Sequence, residues 1–131
     1  KSRVKELSQQ FGLDSVLGRK AGKLSGGYMR RVSIAMALIG EPEILFLDEP
    51  TLGLDVIARK ELWDLILSLK GKVTIILTTH YMQEAETLSD RIGIMKNGKL
   101  LAIGTATELK QKAATDNFEN AFVAIVKEDI V

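Results

Sequence analysis

The chain has 131 residues, 46% of them hydrophobic, which suffices for one modest core and makes two unlikely on size alone. Eighteen Lys and Arg against 17 Asp and Glu leave a net charge of +1, so no global field argues for nucleic acid or anionic lipid, and any partner must be recognised locally. The lack of cysteine excludes disulfides and thiolate metal sites and fits a reducing compartment; no apolar run is long enough to cross a bilayer, and KSRVKELSQQF has no signal-peptide core, so a soluble chain is expected.

In chain order, Val4, Leu7 and Phe11 predict a short amphipathic packing helix that Gly12 ends. Leu13 to Lys23 is broken by glycines, and its Arg19, Lys20 and Lys23 suit a solvated loop better than a phosphate patch. Ser25, Gly26 and Gly27 then precede a helical segment in which Tyr28, Met29, Val32, Ala35, Met36 and Ile39 share one face. Arg30 and Arg31 lie on its polar side, and Gly40 and Pro42 close it. A helix start offers unpartnered N–H groups and partial positive charge, so two glycines that admit a close approach could form a phosphate cradle. The plainer reading is an N-cap supplied by Ser25.

Ile44 to Leu47 form an unbroken apolar run between Pro42 and Pro50 that ends in Asp48 and Glu49. It predicts a strand buried on both faces of a parallel sheet, with two acids at the carboxyl end, where ligands collect in such sheets. Alternation along a strand sends adjacent side chains in different directions. An Asp there suits Mg²⁺ and a neighbouring Glu suits an attacking water; the alternative is a loop with two solvated carboxylates. Leu54 to Leu69 is a second amphipathic helix, with Ala58, Leu62, Leu65, Ile66 and Leu69 inward, Asp55 as N-cap, Trp63 in packing and Gly71 as stop.

Val73 to Leu77 predict a second buried strand leading to Thr78, Thr79 and the single histidine, His80. A lone histidine is ordinarily a structural hydrogen-bonding residue, but this one stands at the same sheet edge as the acids. Tyr81 to Leu88 reads as a helix whose wet face holds Gln83, Glu84 and Glu86. Arg91 to Lys96, Asn97-Gly98 and Lys99 to Ile103 spell a β-hairpin. Thr105 with Glu108, and Asp116 with Glu119, read as capping boxes, the first opening a helix to about Ala113. The last helix gathers Phe118, Ala121, Phe122, Ile125 and Val126 into an apolar face that either folds back on the body or marks a docking surface.

LSGGY at Leu24 to Tyr28, ILFLDEPT at Ile44 to Thr51, GLD at Gly53 to Asp55 and TTH at Thr78 to His80 stand in the order and approximate spacing of the nucleotide-binding subunits of ABC transporters. The chain resembles the second half of such a subunit, best over Leu24 to Gly104. The resemblance implies an α/β fold: a partial P-loop NTPase, RecA-like core with parallel strands, flanking helices and a C-terminal β-hairpin. Residues 1–41 would belong to the helical signature subdomain, 42–114 to the core and hairpin, and 115–131 to a C-terminal helix. It further implies ATP and Mg²⁺ as ligands. Asp48 would hold the metal largely through water, Glu49 would be the general base, and His80 would secure the γ-phosphate. Ser25, Gly26 and Gly27 would close on the ATP of a partner subunit, and Asp55 would lie in the loop that touches that subunit. The implied partners are a second nucleotide-binding subunit, paired head to tail, and a transmembrane permease that keeps the chain at the inner, cytoplasmic face of a membrane; no nucleic acid is expected. Tyr28 replaces the family's glutamine. With Arg30-Arg31 and the tail NFENAFVAIV, it is similar to subunits of exporters of drugs, ions or polysaccharides.

A Walker A loop needs G-x-x-x-x-G-K followed by Ser or Thr. Gly22-Lys23, Gly71-Lys72 and Gly98-Lys99 are followed by Leu24, Val73 and Leu100, and none qualifies. Beginning at Lys1, the chain reads as a piece whose amino-terminal half lies elsewhere. Alone it should hydrolyse no ATP above background. In the family the Walker A strand lies beside the strand that leads to the histidine, so Val73 to Leu77 should carry an unpaired apolar edge. Two other classes remain. One is a non-transport ABC ATPase acting on DNA or ribosomes, against which stands the lack of coiled-coil heptads and of a basic patch. The other is a non-catalytic interaction module.

Overall fold

The computed structural model describes residues 2–128, which divide into two compact units, one ending at Thr78 and the other beginning at Thr79. The first unit opens with helix α1 (Ser2–Gln10), which buries Leu7 and is followed by buried Phe11, Leu13 and Val16. Arg3 reaches across to donate to the Leu38 carbonyl at 3.2 Å, satisfying one of the orphan acceptors at the end of α2 (Gly26–Leu38).

Helix α2 turns a different stripe inward from the one its apolar spacing predicts. Ile34, Ala35 and Leu38 are buried, whereas Met29, Met36 and Ile39 are exposed. The segment is apolar on nearly every side, so periodicity cannot choose between two stripes that share Ala35. The rejected stripe is not idle: Val32, Met36 and Ile39, with Val4, Leu13 and Val16, line an open apolar groove of about 210 Å³.

Strand β1 (Ile44–Asp48) and strand β2 (Thr74–Thr78) pair in parallel, joined through helix α3 (Val56–Ser68). Among the described residues they form a two-stranded sheet, so the outer edge of β2 carries no further strand, as the sequence leads one to expect. Burial departs from expectation. Leu45 and Leu47 are buried, but Ile44 and Phe46 are 51% and 71% exposed and Ile76 is 45% exposed. Register pairs Phe46 with Ile76 and Ile44 with Thr74, so one sheet face is open and apolar. A continuous apolar run fits burial on both faces, and only one of them finds cover here. Helix α3 buries Leu62, Trp63 and Ile66, and Leu69 is buried just beyond its end.

The second unit contains helix α4 (Met82–Leu88), strands β3 (Ile92–Lys96) and β4 (Lys99–Gly104), and helices α5 (Ala106–Lys112) and α6 (Phe118–Glu128). The strands pair antiparallel around Asn97 and Gly98, both at positive φ (50° and 77°), as the two-residue turn that matches strand twist requires. A register shift between Ile94 and Met95 marks a bulge. Thr105 and Glu108 form the expected capping box. The box expected from Asp116 and Glu119 is replaced by Asn117, whose Oδ1 accepts from the Asn120 N–H at 2.9 Å, one residue further along. The face of α6 folds back: Phe118 and Ile125 join Ala85, Ile92, Ile94, Ala102 and Leu109 in one core, with Phe122 and Val126 partly buried against it. Lys96 ties the hairpin to this helix through the Val126 carbonyl at 2.8 Å. Glu84 is not on a wet face; it is fully buried beside Ala85.

Candidate functional site

The site is built on the carboxyl ends of β1 and β2. Register sets Asp48 opposite Thr78, and the Thr78 hydroxyl donates to Asp48 Oδ1, fixing an exposed carboxylate at the sheet edge. The ladder continues one residue past the strand, where the Glu49 N–H donates to the Thr78 carbonyl at 2.9 Å. Glu49 then adopts the left-handed region (φ 49°). For a residue with a Cβ this costs about 1–2 kcal/mol. The turn rather than strand alternation therefore separates Glu49 from Asp48.

What offsets that cost is a guanidinium from α2. Arg30 donates through Nη1 to the carbonyls of Glu49 (3.1 Å) and Pro50 (2.6 Å), and through Nη2 to that of Leu52 (2.9 Å). Hydrogen bonds to a charged donor contribute about 1.5–3 kcal/mol each, enough to hold a strained turn. Within the turn, the Leu52 N–H donates to the Glu49 carbonyl and the Leu54 N–H to the Thr51 carbonyl, around a fully buried Thr51. Arg31, the other charge placed on the polar side, is also structural. It pairs with Glu61 at 2.6 Å, and its guanidinium lies 5.0 Å from the Tyr28 ring centroid.

The serine–glycine turn lies against the start of α3. Ser25 caps α2 through a 3.4 Å bond from the Tyr28 N–H to its Oγ, and Asp55 caps α3 through a 2.8 Å bond from the Ala58 N–H to Oδ1. A Cβ on Gly26 would stand 3.3 Å from Leu54 Cδ2, and one on Gly27 would stand 3.5 Å from Ala58 Cβ. The first glycine thus permits close helix packing as well as an open approach from solvent, to which Ser25 and Gly26 are exposed.

Ser25, Gly26, Gly27, Asp48, Glu49 and Asp55 all belong to the first unit, whereas His80 belongs to the second. His80 is exposed two residues beyond Thr78, its ring 4.3 Å from that of Tyr81, and the Tyr81 N–H donates to Thr79 Oγ1 at 3.0 Å. Among the described residues no three His, Asp or Glu side chains gather as a metal cage. A single exposed carboxylate held by a hydroxyl is the donor set of a cation that keeps most of its water, which is how Mg²⁺ is usually bound. Thr78 and Arg30 are the members that residue types alone did not assign. Their roles follow from strand register and helix docking, and neither leaves a mark in local sequence.

No helix among the described residues is long and apolar enough to cross a membrane. Residues 1–52 match the family described as ABC transporter. ABC transporter A family member 11 of Arabidopsis thaliana is 48% identical over 126 residues, covering 96% of this chain and 13% of that protein. The doxorubicin resistance ATP-binding protein DrrA of Mycobacterium tuberculosis is 43% identical over 131 residues, 99% of this chain and 38% of that one. A solved ATP-binding cassette of an ABC transporter superposes with a TM-score of 0.80 at 28% identity, covering 95% of this chain and 49% of the cassette. The chain therefore spans well under half the length of these curated relatives and about half of the solved cassette. With the parallel strand pair, the capped serine–glycine turn and the acidic strand end in place, the chain belongs to the ATP-binding domains of the ABC transporter family.

Proposed function

We propose that this chain supplies the signature turn, the acidic strand end and the histidine of an ATP-hydrolysing ABC transporter subunit, and that it acts with a phosphate-binding loop carried by sequence not present here. The observation that carries this reading is the strand-end arrangement: Asp48 held by Thr78, with Glu49 turned away from the pleat immediately after it. Glu49 orients and deprotonates the attacking water, and His80 hydrogen-bonds the γ-phosphate as the water approaches. Asp48 would hold Mg²⁺, which would supply positive charge to offset that of the phosphate oxygens. The exposed start of α2 presents N–H groups and Ser25 to the ATP of a second subunit, and Asp55 lies in the turn facing that subunit. Transport, as an exporter, follows through a permease that holds the assembly at the cytoplasmic face of a membrane. Similarity to drug-resistance proteins such as the doxorubicin resistance ATP-binding protein DrrA supports an exported cargo.

The test is complementation. The chain is co-purified with the segment of DrrA that precedes the matched region, and Mg-ATP turnover is measured for wild type and for Glu49→Gln. Turnover should appear only in the mixture, and the substitution should lower kcat by roughly 10²- to 10⁴-fold while nucleotide binding persists. Turnover indifferent to Glu49→Gln would remove the general base from this reading.

A further inference from the structure

Resting on the reading of Glu49 as the base, we infer that Arg30 is a positioning residue for it, a fork that locks the Glu49 to Leu52 turn to helix α2. Three carbonyls of one four-residue stretch converge on a single guanidinium at 3.1, 2.6 and 2.9 Å. Glu49 is gripped on both sides, its N–H by the Thr78 carbonyl and its carbonyl by Arg30 and by the Leu52 N–H. A left-handed residue with a Cβ persists only where its surroundings over-determine it, and this fork is the part of those surroundings that comes from another element. The Glu49–Pro50 peptide has no N–H, because its nitrogen is the proline's, so the Glu49 carbonyl is its one hydrogen-bonding handle, and Arg30 takes it together with the next carbonyl, that of Pro50.

The geometry also links two ends of the site. Arg30 stands one helical turn past Gly26, on the helix that begins at the serine–glycine turn. A shift of that turn on closing over nucleotide carries the fork with it, and through the fork the backbone of Glu49. Lysine cannot substitute: its ammonium is a point charge without the planar pair of nitrogens that reaches three acceptors at once. Arg30 touches neither water nor phosphate in this scheme, and it acts only through the backbone it holds.

Two readouts separate the fork from the base. In the 131-residue chain alone, amide hydrogen exchange at Leu52 and Leu54 should accelerate in both Arg30→Gln and Arg30→Lys, while the Glu108 amide in the second unit keeps its rate. In the complemented cassette, Arg30→Lys should lower kcat by roughly 10- to 100-fold with KM for ATP nearly unchanged, the signature of a misplaced group. Unchanged exchange at Leu52 and Leu54 overturns the fork. Faster exchange with undiminished kcat overturns its role in positioning. If instead Glu49→Gln leaves turnover intact, the assignment of the base fails while the exchange data still report on the fork. Should Arg30→Gln not fold, Arg30→Lys carries both measurements.

Discussion

At the scale of single residues, the two helix caps at the site differ in what they contribute. Asp55 accepts from the Ala58 N–H at 2.8 Å and as a carboxylate also favours the positive helix start, whereas the Ser25 bond is 3.4 Å long and exposed. We expect Asp55→Ala to cost about 1–2 kcal/mol and Ser25→Ala about 0.5 kcal/mol, read from urea midpoints. A larger loss at Ser25 would mean that the serine is held by more than its cap, and it would weaken the view that its hydroxyl is available to nucleotide. The caps and the acids were legible in the sequence because each is signalled by its own residue type beside an apolar run. Thr78 and Arg30 were not. Thr78 becomes a partner of Asp48 only through the pairing of strands 30 residues apart, and Arg30 finds its carbonyls 19 to 22 residues downstream. No window along the chain contains either relationship.

At the scale of elements, the order of helices and strands follows the apolar periods, and the errors lie in orientation. The sequence announces α2 correctly but not its inward stripe, because Ile34 and Leu38 compete with Met36 and Ile39 on a helix apolar nearly all round. Charge is ordinarily exposed, which predicts a solvent-facing Glu84, yet α4 is short and turns it inward beside Ala85. The end of α5 is another feature without a signal. Thr115 N–H donates to the Lys110 carbonyl and Ala114 N–H to the Gln111 carbonyl, a Schellman pair that puts Ala114 at φ 53°. Glycine is the residue such a position favours, and its absence hid the motif. Replacing Ala114 by glycine should therefore stabilise the second unit by about 1 kcal/mol. An unchanged or lowered thermal midpoint would show that the left-handed alanine is not strained.

At the scale of the whole molecule, the open sheet face matters most. Ile44, Phe46 and Ile76 lie together and exposed, next to strand edges that no other described strand covers. Fully burying each such side chain is worth about 1.5–3 kcal/mol, so this face drives association with whatever matches it. In the absence of a partner the chain should self-associate with rising concentration in sedimentation experiments, and Phe46→Asp should reduce that tendency. A monomer at every concentration, with or without the substitution, would count against an incomplete sheet. The same incompleteness governs nucleotide in the proposed function: there the chain contributes the groups that close on ATP and act on its γ-phosphate, while Gly22-Lys23, Gly71-Lys72 and Gly98-Lys99 each lack the hydroxyl residue that completes a phosphate loop. A calorimetric titration of the purified chain with Mg-ATP tests this most directly. The account predicts no measurable heat of binding for the chain alone and saturable binding once the upstream half of a related cassette is added. Tight binding by the chain alone would contradict it.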